Sequence, residues 1–307
     1  MKHSFLRQVV APTLAAFIWG TAFVAQSVCS RYIPPFAFNA CRSFIAVAFL
    51  IPLSRCFDAV AAKRGTPPPK TDRRTLITGG IVCGLVLAGA TNLQQAGIAD
   101  TTAGKAGFIT AFYVVLVPVL GVLMGRKSVL RIWISVAFAG VGLWLLCIKA
   151  GERFHLVTGD IFLIICAVLY ALQIYAIDRY VQVLDGIKLS CAQFVVAGTV
   201  ALVLSLCFER FDPANLLLCI LPILYVGVLS SGVAYTLQTL SQKGSNPVVV
   251  TLLFSLESVF AVLAGAVILG DRLTPREYGG CALMFVAVIL AELPLEKLFR
   301  KRSRAAE

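Results

Sequence analysis

Long apolar runs alternate with short polar segments along the whole chain. Each run holds roughly 20 mainly apolar residues, the length that an α-helix needs to cross a hydrocarbon layer about 30 Å thick. The pattern therefore predicts an all-α integral membrane protein with ten transmembrane helices. The predicted spans are, approximately, 9–29, 34–54, 76–98, 102–124, 129–148, 158–177, 189–208, 216–240, 247–269 and 277–295.

The polar segments between these runs are short. The longest, at about 55–75, contains three consecutive prolines and is predicted to be an extended hydrophilic linker. The first apolar run follows basic residues but exceeds the apolar stretch of a signal peptide, so we expect it to be retained as a span.

Composition indicates that lipid is the solvent for most of the chain. Of the 307 residues, 59% are apolar and only 14% are charged, against roughly 25% charged in soluble domains. A single soluble core cannot bury this much apolar surface. Soluble domains, secreted disulfide scaffolds, disordered chains and nucleic-acid-binding domains are therefore excluded as classes.

The net charge of +12 is distributed unevenly between the two sides of the predicted membrane. Nineteen of the 27 Lys and Arg residues fall in the segments on one side and six on the other, while Arg42 and Lys105 fall within spans. By the positive-inside rule, both termini are predicted to be cytoplasmic, in a bacterial inner membrane. The basic residues then determine topology rather than bind nucleic acid. The tail at 297–307 is expected either to contact anionic lipid headgroups or to be solvated.

Few residues are suited to bind a metal or to catalyse a reaction. The ten cysteines lie mostly in predicted spans without any C-x-x-C pair, and both histidines lie outside them. The sequence also has no glycine-rich phosphate loop and no recognisable nucleophile–base arrangement. We therefore expect no metal, no cofactor and no enzymatic activity.

The two halves of the chain resemble each other. Shifts of 151, 144 and 140 residues place Trp19 over Tyr170, Gln94 over Gln238, and Val117 over Glu257. We therefore expect two repeats, 9–148 (helices 1–5) and 158–296 (helices 6–10), followed by the tail. Five spans per repeat mean that the second repeat enters the membrane from the opposite side. The prediction is a 5+5 inverted-topology repeat around a central cavity, an architecture that suits alternating access.

Charged residues within predicted spans are candidates for function, because charge is costly in a membrane. Glu257 lies near the midplane of its span, where it would contact a solute or coupling ion, bind a proton, or bond to a neighbouring helix. Arg42 would bind an anionic group, pair with Glu257, or extend to an outer gate. Lys105 lies near the outer end of the fourth span.

Uncharged polar and aromatic residues form stripes at helical spacing. Such stripes would either line a cavity or join helices by hydrogen bonds. They are Trp19, Phe23 and Gln26; Thr91 with Gln94 or Gln95; Thr110 and Tyr113; Tyr170 and Gln173; and Ser231, Tyr235 and Gln238. The predicted substrate-binding residues are Trp19, Arg42, Gln94, Tyr113, Tyr175, Tyr235, Gln238 and Glu257.

Four residues are predicted to serve gating or helix packing. Pro118 removes a helix hydrogen bond and is expected to kink the fourth span. Gly121-x-x-x-Gly125 is a close-approach motif at the inner end of the same span. Lys105 completes the set.

Several segments carry a recognisable family pattern. WGTAFV at 19–24 followed by FNACR at 38–42 resembles the opening of an EamA repeat, and TTAGKAGFIT at 101–110 running into YVVLVP at 113–118 resembles its fourth helix. AYTLQ at 234–238, LESVFA at 256–261 and LGDRLTP at 269–275 are similar to the corresponding parts of a second repeat. The chain thus resembles the drug/metabolite transporter superfamily. That resemblance implies ten helices, cytoplasmic termini and passage of small organic solutes, usually outward.

The predicted function is export of small organic metabolites, such as amino acids or amphipathic compounds, by alternating access. The expected partners are the small-molecule substrate, membrane lipids and, as a coupling ion, protons; the expected state is a monomer or weak homo-oligomer. The rivals are a lipid-handling protein or intramembrane enzyme and a non-transporting receptor or scaffold.

Overall fold

The structure, a computed structural model, describes residues 5–65, 71–100, 103–126, 129–147, 157–210, 214–269 and 274–292. Nearly all of these residues are helical. In chain order the helices are α1 (Leu6–Cys29), α2 (Pro35–Lys63), α3 (Arg73–Asp100), α4 (Ala103–Ala111 and Tyr113–Leu123), α5 (Leu130–Cys147), α6 (Thr158–Val181), α7 (Gly186–Phe208), α8 (Ala214–Leu218, Ile220–Tyr225, Val226–Ala234 and Tyr235–Gln242), α9 (Pro247–Phe254 and Glu257–Leu269) and α10 (Pro275–Glu292).

Eight of the described helices are long and apolar enough to cross a membrane, namely α1 to α4 and α6 to α9. In α5 the apolar stretch is shorter, at Leu130–Leu146, and α10 is not among the eight. The predicted class, an all-α multi-pass membrane protein, is confirmed. The count of ten crossing helices stays a prediction, because α5 and α10 do not meet the same length and composition.

The linker predicted at about 55–75 is partly helical. α2 continues to Lys63, well past the predicted end of its span, and α3 begins at Arg73. Residues 55–63 include three alanines and neither glycine nor proline, so nothing in them stops a helix. The end of an apolar run therefore marks where the chain leaves hydrocarbon, not where its helix ends. The three prolines at 67–69 lie outside the described residues.

The helices contact each other in a pattern that is preserved when the first five are exchanged with the last five. α3 packs against α6 and α7, and α8 correspondingly packs against α1 and α2. α4 packs against α6 as α9 packs against α1, while α2 packs against α7 and α5 against α10. A two-fold relation between repeats predicts this exchange. The side from which each repeat enters the membrane stays a prediction.

Polar side chains outside the apolar layer begin several helices. The Asp185 carboxylate accepts hydrogen bonds from the Ile187 and Lys188 amides at the start of α7, both at 3.0 Å. At the start of α9, Asn246 accepts a bond from the Val248 amide at 3.0 Å, with Pro247 as first helical residue. These caps bind amides that a helix leaves without internal partners.

Two carboxylates serve the starts of α2 and α3. Glu209, which follows α7, accepts hydrogen bonds from the Phe36 and Ala37 amides, both at 2.8 Å, and so joins the end of α7 to the start of α2. Asp72 accepts a bond from the Thr75 amide at 2.9 Å and one from its hydroxyl. These hydrogen bonds lower the pKa of the Asp72 carboxyl, because they favour its charged form.

Three helices are irregular near the middle of the protein. α4 is interrupted at Phe112, and α9 at Ser255 and Leu256. In α8, Val226–Ala234 adopts a π-helix, a form that is rare and often found at functional sites. These irregular segments surround the largest concentration of buried polar residues, which is where a candidate site has to be sought.

Candidate functional site

A cavity lies between helices of the two halves. It encloses about 500 Å³ outside the atoms, of which about 40 Å³ admits the centre of a water molecule. In this conformation it has room for only a few waters, so a larger solute requires its side chains to move. The lining residues are Trp19, Phe23, Gln26, Arg42, Gln94, Thr110, Tyr113, Tyr170, Gln173, Ile174, Ser230, Tyr235, Gln238, Phe254 and Glu257.

Seven of the eight predicted binding residues line this one cavity, all except Tyr175. The structure brings them from α1, α2, α3, α4, α8 and α9, and α6 adds Tyr170 and Gln173 from a predicted stripe. Ile174, Ser230 and Phe254 also line it and belong to no predicted stripe. The placement is a structural fact, whereas substrate binding by these residues stays a prediction.

Aromatic rings form one wall of the cavity. The Trp19 ring lies edge-on to Tyr235 and Phe254, with centroid separations of 4.9 and 5.3 Å. The rings of Tyr113 and Tyr170 are 6.2 Å apart. Edge-on packing of this kind holds rings in place and leaves a polarisable surface for an apolar or cationic group.

Hydrogen bonds connect the polar residues of the wall across helices. The Tyr170 hydroxyl donates to Gln94 Oε1 at 3.0 Å and lies 3.2 Å from the Tyr235 hydroxyl. The Gln238 side-chain amide donates to Gln173 Oε1 at 3.2 Å. The stripes therefore do both things that the sequence left open: they line a cavity and join helices.

Glu257 is the carboxylate of this cavity and the first residue after the interruption of α9. Its side chain is 6% exposed, and the Tyr113 hydroxyl of α4 donates to Oε1 at 3.2 Å. α1 approaches this turn closely at Gly20, where a Cβ atom would lie 2.6 Å from the Glu257 carbonyl oxygen. Glu257 thus bonds to a neighbouring helix while also facing the cavity.

Arg42 is the guanidinium of the same cavity. It is only 2% exposed, and Nη1 donates to Gln26 Oε1 at 3.2 Å. Its buried Nε has no hydrogen-bond partner in the part of the chain that the structure describes. The described ion pairs, Arg126–Asp178 and Lys188–Asp58, do not include Arg42 or Glu257. Arg42 therefore neither extends to the surface nor pairs with Glu257, as two of the three sequence alternatives required.

Tyr175 lines a different cavity, so its predicted place in the central one is wrong. Its hydroxyl donates to the Val117 carbonyl at 2.6 Å, and the Arg126 guanidinium lies over its ring at 5.0 Å. The second cavity encloses about 780 Å³ and is also lined by Pro118 and Gly121. Tyr175 is five residues from Tyr170, about 140° around the helix, so the two side chains face different ways. The Tyr170 and Gln173 stripe was the correct guide.

The residues predicted for packing have separate roles in the structure. Gly121 lies against Tyr175, with its Cβ position 2.5 Å from the hydroxyl oxygen, whereas Gly125 has φ of +79° and open space around it. Gly125 therefore ends α4 rather than packing a helix against it. Pro118 lies inside the second segment of α4, and the interruption comes six residues earlier. The side chain of Lys105 lies outside the described residues.

The sequence profile of the EamA-like transporter family matches residues 9–148 and 157–293. The two matches together include most of the chain and repeat one unit twice. The chain belongs to the EamA-like transporter family. As a member of this family it is a multi-pass membrane protein, and the resemblance found in its motifs is confirmed.

Two further comparisons agree with membership in the EamA-like family. A protein described as an uncharacterized transporter, from Archaeoglobus fulgidus, is 30% identical over 285 residues, which is 91% of this chain and 84% of that protein. A protein of known crystal structure superposes with a TM-score of 0.75 at 18% identity, covering 95% of this chain and 98% of that one. The second likeness shows the fold alone.

The two EamA repeats correct one sequence alignment. At a shift of 140 residues Val117 falls opposite Glu257, but the interruptions of α4 and α9 place Tyr113 there instead, as the first residue after each break. This correspondence is a shift of 144 residues, the same that aligns Gln94 with Gln238. Equivalent positions of the two repeats thus meet in the Tyr113–Glu257 hydrogen bond, with one phenol and one carboxylate.

Proposed function

We propose that the protein exports small organic metabolites of amino-acid-like or amphipathic character by alternating access. The cavity between the halves is the binding site in this proposal, and Trp19, Arg42, Tyr113, Tyr235 and Glu257 contact the solute. The 5+5 repeat would open this one cavity to either side in turn. The membrane is a bacterial inner membrane with both termini in the cytoplasm.

One observation carries the proposal: the cavity is lined by one buried guanidinium and one buried carboxylate that do not form an ion pair with each other. Buried charges are costly unless an opposite charge neutralises them. A solute with both an ammonium and a carboxylate would supply both partners, to Glu257 and Arg42 respectively. The aromatic wall around Trp19 would accept its apolar part.

The test is flux through proteoliposomes loaded with labelled amino acids or with amphipathic cations. Glu257→Gln should slow both solute classes, whereas Arg42→Gln should slow the amino acids and spare the cations. A lost charge-assisted contact of about 1.5–3 kcal/mol corresponds to a loss of transport efficiency of roughly 10- to 150-fold. Efflux from loaded vesicles, compared with uptake into empty ones, tests the direction.

The matched control is Asp58→Asn, which removes a carboxylate that pairs with Lys188 away from the cavity. It should carry both solute classes at parent rates. Repeating the flux with an imposed pH gradient tests for proton coupling, because Glu257→Gln cannot bind the proton. If Glu257→Gln transports every solute at the parent rate at each pH, Glu257 does not contact the solute and the proposed site is wrong.

Orientation is tested by two cysteine substitutions that leave every charge unchanged. Tyr32 precedes α2 and Ala62 lies near its end, and both are exposed. In oriented vesicles, a membrane-impermeant maleimide should label Ala62→Cys from the cytoplasmic side and Tyr32→Cys from the outer side, each above the parent background. The reverse pattern would overturn the orientation without affecting the proposed solute site.

A further inference from the structure

Two buried cysteines from different repeats meet where the end of α1 lies against the beginning of α8. Cys29 is the last residue of α1, and Cys219 lies between the first two segments of α8. Their side chains are 0% and 1% exposed. The two thiols are hydrogen-bonded to each other.

Neighbouring contacts hold these two chain segments together on both sides of the cysteines. The Asn215 side chain donates to the Tyr32 carbonyl at 3.1 Å, just beyond the end of α1. On the other side, the hydroxyls of Tyr225 and Thr21 are hydrogen-bonded. The proximity of the thiols is therefore part of a continuous interface between α1 and α8.

The backbone at both cysteines suits a small adjustment. A disulfide has sulfur atoms about 2 Å apart, so two thiols already in hydrogen-bond contact need only a short further approach. Cys219 has φ of −106° and ψ of 13°, outside the regular helix, and Cys29 is followed by a turn. Neither sulfur is held in the middle of a regular helix, where its position would be fixed more firmly.

We propose that Cys29 and Cys219 form a disulfide that links the first repeat to the second. The oxidant is a small-molecule or protein disulfide. A thiolate of one cysteine attacks it and releases one thiol, and the sulfur of the other cysteine then displaces the second. The pair loses two protons and two electrons in forming the S–S bond, and the oxidant is reduced to two thiols.

The proposed orientation places both cysteines at the outer side, which in a bacterium is an oxidising compartment where disulfides persist. Because both side chains are buried, access of oxidant to the folded protein is slow, and so is reduction of the bond once formed. Cys41 packs against the same apolar cluster, so it tests whether the reaction follows the Cys29–Cys219 contact or only local crowding.

The test counts thiols in the full-length protein in membranes. One sample is incubated with oxidised glutathione and one with dithiothreitol; both are then denatured in SDS with excess iodoacetamide and weighed intact. The oxidised sample should carry two fewer alkyl groups than the reduced one. Its tryptic digest should contain one peptide pair joined through Cys29 and Cys219.

Variants separate the proposed pair from the other cysteines. Cys29→Ser and Cys219→Ser should each abolish the difference in alkyl groups, whereas Cys41→Ser should leave it unchanged. Equal counts in both parent samples, or a joined peptide that contains Cys41, would overturn the proposal. If a serine variant fails to fold, the peptide map of the parent protein still decides the outcome.

Discussion

Gly121 provides the sharpest test of the packing between α4 and α6. A Cβ atom at this position would lie 2.5 Å from the Tyr175 hydroxyl oxygen but 3.6 Å from the ring carbon that carries it. Gly121→Ala must therefore displace the hydroxyl, which breaks its 2.6 Å hydrogen bond to the Val117 carbonyl. The ring itself could stay in place, because 3.6 Å is an ordinary van der Waals distance.

The magnitude follows from three contributions. Loss of the hydrogen bond costs about 0.5–1.5 kcal/mol, and forcing an extra group into packed surroundings costs about 1–3 kcal/mol. Alanine in place of glycine in a helix returns about 0.5–1 kcal/mol. Gly121→Ala should therefore lower the free energy of unfolding by about 1–3 kcal/mol. Tyr175→Phe alone should lower it by about 0.5–1.5 kcal/mol.

The double variant distinguishes this contact from a general loss of packing. With Phe at 175 the colliding oxygen is absent, so Gly121→Ala should be neutral or stabilise by up to about 1 kcal/mol. The two substitutions should thus show a coupling of about 1–3 kcal/mol.

Unfolding by SDS in mixed micelles, followed by tryptophan fluorescence, measures the four free energies of this cycle. Gly140→Ala is the control, because a Cβ atom there meets nothing within 4 Å. Equal destabilisation by Gly121→Ala with Tyr and with Phe at 175 would refute the proposed contact.

Three further predictions concern other helix contacts and ends. Gly20→Ala should lower the free energy of unfolding by about 3 kcal/mol or more, because its Cβ atom would lie 2.6 Å from a backbone oxygen of α9 that cannot move aside. Gly107→Ala, with nothing within 4 Å, should stay within about 1 kcal/mol of the parent in the same SDS titration. Glu209→Ala should cost about 1–3 kcal/mol, and Glu209→Gln less, since it keeps one acceptor for the amides that begin α2; equal costs would contradict the charge-assisted bonds. The lowered pKa of Asp72 means that its stabilisation of α3 is present above the ordinary carboxyl pKa of 3.8 and is lost as the pH falls through the lowered value; amide exchange in the first turn of α3 should therefore be faster in Asp72→Asn than in the parent at neutral pH, and equal in strong acid.

The helices were predictable because their signal is local. A run of about twenty apolar residues has few other stable forms in lipid, since each backbone group must be bonded within its own helix. The ends of the helices were less predictable. α2 continues through Arg55 to Lys63 because a helix of alanines and charged residues is stable beyond the hydrocarbon as well as within it.

The cavity was largely predictable because polar residues in a span are costly and rarely placed without a partner. Seven of the eight predicted residues meet there for that reason. The error at Tyr175 came from choosing a residue by type, since a tyrosine in a span may serve packing as well as binding. Helical spacing separates the two: Tyr170 shares its face with Gln173, and Tyr175 does not.

The partner of Glu257 was not predictable, because it depends on where two helices break. An uninterrupted helix keeps one register along its length, and comparison of the two loops before the fourth and ninth spans then places Val117 opposite the carboxylate. In the structure α9 is interrupted for two residues and α4 for one, so the register changes within each helix and Tyr113 takes the equivalent position. The break also separates the two sides of the site chemically. After equivalent interruptions, one repeat offers a hydroxyl that donates and the other a carboxylate that accepts, and this asymmetry supplies the only carboxylate of the cavity within the described residues. Two carboxylates at these positions would repel each other and would require a proton or a cation between them. The Tyr113–Glu257 pair lets the cavity hold one buried negative charge with a hydrogen bond of its own, and leaves the second carboxylate oxygen available for a further donor.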